Sequence, residues 1–159
     1  MNIRSFLIIF AMSSLLHSEE NFGIVVHGGA GVMSGLSEER QQEIHKKIQE
    51  TVSQAYEILE KGGSSLDAVE LAVSMLEDSP LFNAGRGSVY NSDEVQEMDA
   101  SIMDGKNRLS GAVASVTTVK NPIKLARKVA EETEHILLMG EGAERFARDI
   151  GLDLSLIHI

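Results

Sequence analysis

The residues of this chain best suited to chemistry lie in two glycine-rich segments, Val26-His27-Gly28-Gly29-Ala30-Gly31 and Pro80-Leu81-Phe82-Asn83-Ala84-Gly85-Arg86-Gly87. Backbone without side chains turns tightly and lets amide N–H groups come close to a substrate. A dinucleotide loop needs Gly-x-Gly-x-x-Gly opening directly into a helix. Gly29-Ala30-Gly31 supplies two of those glycines, but Ser34 stands at the third position and a polar stretch intervenes. Nucleotide binding therefore fits poorly. His27 has no evident Ser or Cys paired with an Asp, so it reads as a hydrogen-bonded structural residue as readily as a catalyst. His17, His27, His45, His135 and His158 never fall three or four apart, which removes a helical metal-ligand pair. With no cysteine, thiolate nucleophiles, thiolate zinc sites and disulfides are excluded. Asp99 and Asp104 fit a hairpin with a solvent side better than an acid–base pair. Self-cleavage after a glycine is a further route to a nucleophile. Gly63-Ser64 and Gly87-Ser88 offer a serine, though Ser64 reads better as a helix cap and Ser88 as a loop residue. None of Thr51, Thr117, Thr118 and Thr133 follows a glycine.

The elements that must position these segments can be read in order. Gly23-Ile24-Val25-Val26 predicts a short, buried strand. A helix over about 38–61 carries Ile44, Ile48, Val52, Ala55 and Leu59 on one stripe, with Ser37 as cap, acidic Glu38 and Glu39 in the first turn and Gly62-Gly63 as terminator. A second helix starts near Ser64 or Ser65, uses Asp67 as a capping partner and runs through Val69, Val73 and Leu76 to stop before Pro80. The period then changes to two. Met98, Ala100 and Ile102 alternate with Asp99, Ser101 and Met103, Asp104-Gly105 offers a turn, and 109–116 returns as the second strand of an antiparallel hairpin. Asn121-Pro122 is an N-cap followed by proline at the first helical position, predicting a helix over 123–133. Ile136 to Met139 predicts another buried strand, and a last helix runs from near Gly142-Ala143 to Ile150-Gly151.

A chain of 159 residues with 43% hydrophobic and 24% charged residues suits one globular domain. The formal charge of −10 argues against a nucleic-acid or anionic-membrane surface. Arg4 followed by the apolar run from Phe6 to Leu16 has the form of a signal peptide over residues 1–18, too short to span a bilayer. That leader directs the chain to a secretory lumen, a periplasm or the exterior. Residues 19–153 form the domain, and 154–159 read as an atypical or truncated tail.

The order of motifs resembles one family. His27 to Gly31, then 76–87, Met98-Asp99-Ala100-Ser101-Ile102-Met103-Asp104-Gly105, Gly111-Ala112-Val113-Ala114, Asn121-Pro122 and Gly140-Glu141-Gly142-Ala143-Glu144 follow the pattern of the plant-type L-asparaginase/isoaspartyl peptidase family. These are hydrolases with an N-terminal threonine nucleophile released by autocleavage. The resemblance covers about residues 22–152 and implies an α+β fold, the N-terminal half of an αββα sandwich. It implies an amidohydrolase acting on L-asparagine or β-aspartyl peptides, with the nucleophilic threonine outside this chain. It places Asn83 near that nucleophile, with His27, Gly28 and Gly29 lining the same side of the pocket. It also implies that the main-chain carbonyls of Leu76, Glu77, Ser79, Phe82, Ala84 and Arg86 hold a sodium ion. The expected partner is a β chain from the same precursor, assembled as (αβ)2, and no cofactor is required. The chain alone is expected to be inactive. The alternative is a short, non-catalytic homologue acting as a partner or remnant.

Overall fold

The computed structural model describes residues 22–29, 31 and 33–155, so the proposed leader and the last four residues lie outside the described part. Among the described residues four α-helices and three strands follow one another as α1 (Glu38–Glu60), α2 (Ser65–Glu77), β1 (Met98–Asp104), β2 (Leu109–Val116), α3 (Pro122–Glu132), β3 (Leu137–Met139) and α4 (Gly140–Asp149). The sheet order is β1-β2-β3, with β1 antiparallel and β3 parallel to β2.

Both early helices begin as expected. The Ser37 hydroxyl accepts from the Arg40 amide, and the Ser64 hydroxyl from the Asp67 amide. Each satisfies one of the donors that a helix start leaves unpaired. Gly62 ends α1 at a φ of 77°, a conformation open to glycine at little cost. The hairpin pairs Ile102 with Gly111 and Asp104 with Leu109, and its ladder slips between Met98 and Ala100. Asp99 stands at this irregularity, and its carboxylate accepts from the amide of Ser115, whose φ is 52°.

The main core lies on one face of the sheet. Met98, Ile102, Val113 and Val116 pack with Ile123, Leu125, Ala126 and Val129 of α3 and with Ala143 and Ala147 of α4. Gly111 is needed where α3 crosses β2, because a Cβ there would overlap the Ala126 carbonyl and the Ala130 amide. On the other face, Met103 is 69% exposed, Leu137 51% and Met139 61%. A second, smaller cluster joins α1 to α2 through Ala55, Ala68 and Ala72, with Ile24 and Val26 against it.

Five expectations need correction. Residues 23–26 form no strand, and Val25 is 96% exposed. Ile24 and Val26 do point inward with the alternation of a strand, but no neighbouring strand among the described residues completes a ladder. Strand β3 is an edge strand with one open face, not a buried one. Its apolar run is covered only where Leu138 meets the core. Asp104 does not face solvent; it turns inward to accept from the Lys106 amide and the Asn107 side chain, organising the hairpin turn. Asn121 occupies the N-cap position of α3, but its side chain makes no capping bond and donates instead to Asp78. Helix α4 also begins two residues earlier than expected, at Gly140.

Candidate functional site

The two glycine-rich segments meet. The Phe82 ring and the Ile48 side chain both lie 3.1 Å from where a Cβ on Gly28 would stand, so this glycine admits the ring against the backbone. Between them opens a cavity of about 420 Å³, whose lining includes His27, Gly28, Gly29, His45, Leu81 and Phe82. The Gly29 amide donates to His27 Nδ1 at 3.1 Å, which makes that nitrogen an acceptor and leaves Nε2 to carry the proton in the neutral ring. Gly29 has a φ of 97°. His27 is exposed and serves the local turn, with no acid or nucleophile bonded to it among the described residues.

Asn83 follows Phe82 but does not line this cavity. Its Oδ1 accepts from the Val89 amide at 3.0 Å, so the side chain closes the loop that leads away from the glycine turn. The structure therefore brings His27, Gly28 and Gly29 together with Leu81 and Phe82, and sets Asn83 just beyond them.

The turn from Leu76 to Gly87 is built on carbonyl oxygens. A Cβ on Gly87 would overlap the Phe82 oxygen and stand 3.1 Å from that of Ser79; one on Gly85 would overlap the Glu77 oxygen. Three carbonyls thus crowd places that only glycine leaves open. The oxygens of Leu76, Phe82 and Ala84 also accept from the amides of Ser79, Ala84 and Gly87. Each carbonyl retains a second lone pair. Among the described residues no group of three or more His, Asp or Glu side chains could hold a metal. A hard cation would have to use this main-chain oxygen cradle, and its donor chemistry fits one.

Sequence reasoning missed two carboxylates. Glu77 is 3% exposed, and its Oε1 accepts from the Ile123 amide at 3.0 Å, so it caps α3 from the end of α2. Its Oε2 is buried without a hydrogen-bond partner. Burial pushes the carboxyl up to about 7, against the Ile123 amide and the Asn121 side chain, which pull it down. Glu144, on α4, accepts from the amides and hydroxyls of both Thr117 and Thr118, where the chain leaves β2. Burial pushes this carboxyl up, but those bonds and the charge of Arg148 outweigh it, and it sits below the ordinary range. Neither role has a local spacing signal, since the partners lie 46 and 26–27 residues away.

A family model described as asparaginase matches residues 20–155. The chain belongs to this asparaginase family. It is 52% identical over 129 residues to an isoaspartyl peptidase/L-asparaginase of Rattus norvegicus, covering 81% of this chain and 38% of the relative. It is 56% identical over 128 residues to a plant-type L-asparaginase of Pyrococcus furiosus, covering 80% and 41%. A plant-type L-asparaginase of Thermococcus kodakarensis is 53% identical over 130 residues, covering 82% and 42%. The chain spans about two fifths of the length of these relatives.

Proposed function

We propose that this chain is the N-terminal, α part of an isoaspartyl peptidase/L-asparaginase and that its sheet is one layer of an αββα sandwich. The observation that carries this reading is the one-sided sheet: α3 and α4 cover one face, while Met103, Leu137 and Met139 stand open on the other. A second sheet, from residues beyond this chain, stacks there and brings the nucleophile.

That nucleophile is a threonine freed by autocleavage after a glycine. Its hydroxyl attacks the side-chain amide carbonyl of asparagine or of a β-aspartyl peptide. Its own α-amine, with an ordinary pKa near 7.7–8.0, takes the proton at neutral pH. Ammonia or an amino acid leaves, and water then releases aspartate from the acyl-enzyme. The α part supplies walls: His27, Gly28 and Gly29 line the cavity side, and Asn83 holds the loop beside it. The carbonyls of Leu76, Glu77, Ser79, Phe82, Ala84 and Arg86 would hold sodium, which lends the turn rigidity and takes no part in bond making. The α and β chains pair as (αβ)2, and the leader over 1–18 sends the enzyme to a secretory lumen or periplasm.

Sequencing the transcript past the codon for Leu154 tests this reading. An open frame reaching Gly-Thr-Val-Gly is expected, and its product should release ammonia from asparagine or cleave a β-aspartyl dipeptide. A genuine stop at that point would leave the short, non-catalytic homologue instead. This chain expressed alone should release no ammonia.

A further inference from the structure

The open face of the sheet carries a single charge. By the two-residue period of β1, Asp99, Ser101 and Met103 share the face opposite the core, and all three are exposed. Beside them β2 presents small side chains, with Ala112 opposite Leu137 and Ala114 opposite Met139. Among the described residues of the three strands, Asp99 is the one charged side chain on this face, because Asp104 is buried on the core side. It sits at a bulge. Met98 pairs with Val116 and Ala100 with Val113, so Ala114 and Ser115 of β2 together oppose Asp99. Ser115 takes the left-handed region at a φ of 52°, and Asp99 Oδ1 accepts from its amide at 2.9 Å. That bond holds the carboxylate in place. Its Oδ2 accepts from no group among the described residues, and no basic side chain among them pairs with it. In water such an oxygen costs nothing. Under a second layer of structure it loses its water, and a buried carboxylate then needs a donor and a countercharge.

We propose that Asp99 is the anchor on which the second half of the precursor docks, and that this half brings an arginine or lysine side chain to its free oxygen. This rests on the reading that residues beyond this chain cover the open face. The chain spans about two fifths of the length of its relatives, so a full-length partner segment has the size to form that layer. Apolar and small side chains give the layer area but no register; one ion pair in a poorly solvated interface supplies it. The group is basic because a neutral donor would satisfy the oxygen and leave the charge unbalanced. A second copy of this chain, with a formal charge of −10, would set like charge against like.

The test follows peroxide oxidation of Met103 and Met139 in the full-length protein, residue by residue, by mass spectrometry. In the native wild type both should oxidise at least about tenfold more slowly than in urea. Equal rates would mean that nothing covers the face, which overturns the sandwich reading and the anchor with it. Asp99→Asn keeps an oxygen for the Ser115 amide and removes the charge; it should speed native-state oxidation of Met139 by on the order of tenfold. Ser101→Ala, a neutral change on the same face, should alter that rate less than about twofold. Each arginine and lysine of the second half is then replaced by methionine, alone and together with Asp99→Asn. One replacement should match the effect of Asp99→Asn alone and add nothing to it, a coupling that a purely local role for Asp99 does not produce. Full protection in Asp99→Asn overturns the anchor and leaves the sandwich reading standing, and so does a set of basic replacements whose effects all add. Should Asp99→Asn fail to fold, the basic replacements with Asp99 intact decide. One that exposes both methionines supports the pair, and none refutes it. Ammonia release judges the asparaginase reading separately.

Discussion

Two joints of this molecule are held by glutamates, and they are finished to different degrees. At the exit from β2, Glu144 gathers the amides and hydroxyls of Thr117 and Thr118. At the passage from α2 to α3, Glu77 accepts from the Ile123 amide, with the Asn121 side chain beside it, and buries its other oxygen unpaired. The same side chain is pulled down in one place and pushed up in the other. A carboxylate surrounded by donors is a fastener, whereas one short of partners costs stability unless something else stands beside it. The first joint belongs to the well-packed hairpin, α3 and α4 unit. The second adjoins the glycine turns where the site is built.

This contrast can be broken most severely at the turn itself. Gly85→Ala places a Cβ on the backbone of Glu77 at a φ of 50°, and should cost about 3 kcal/mol in urea unfolding. Glu144→Ala leaves the amides of Thr117 and Thr118 without their acceptor and should cost about 2–3 kcal/mol by the same measurement. A loss under 0.5 kcal/mol would mean that this joint is not a fastener.

The two joints should also differ in the sign of their pH dependence. Glu144 has a lowered folded pKa, so its contribution is present above the unfolded value near 4.5 and is lost as pH falls through the folded one. Glu77 runs the other way. With a folded pKa of about 7, its contribution is complete below about 4.5 and disappears as pH rises through 7, a span on the order of 3 kcal/mol. Glu144→Gln should flatten the acid limb of the stability profile, and Glu77→Gln the limb approaching neutrality. The smallest effect is expected at Arg127, which bridges Asp67 and Glu70 of α2 to Glu131 of α3 while partly exposed. Arg127→Met should cost about 1 kcal/mol, less in high salt.

How far these joints could be seen in advance depends on distance along the chain. Ser37, Ser64 and Gly62 act within three residues of what they cap or end, and their helices were legible. The hairpin was legible because its two-residue period spans consecutive positions. Asn121 looked like a cap by the same local logic, yet the acceptor came from Glu77, 46 residues earlier. The strand expected at 23–26 has the right alternation and lacks a neighbour, which no local pattern supplies. At the site, the glycine segments announced a close backbone approach, and Phe82 against Gly28 shows one. That Asn83 closes its own loop through Val89 was not readable from spacing.

The pairing of Phe22 with Tyr56, ring centres 5.2 Å apart, has an optical consequence. The chain has no tryptophan and two tyrosines, and the other, Tyr90, is 68% exposed. Intrinsic emission therefore comes from one ring leaning on a neighbour and one standing in water. A soluble quencher should extinguish the Tyr90 signal first and leave that of Tyr56 as a gauge of whether the segment before Ile24 is still seated on α1.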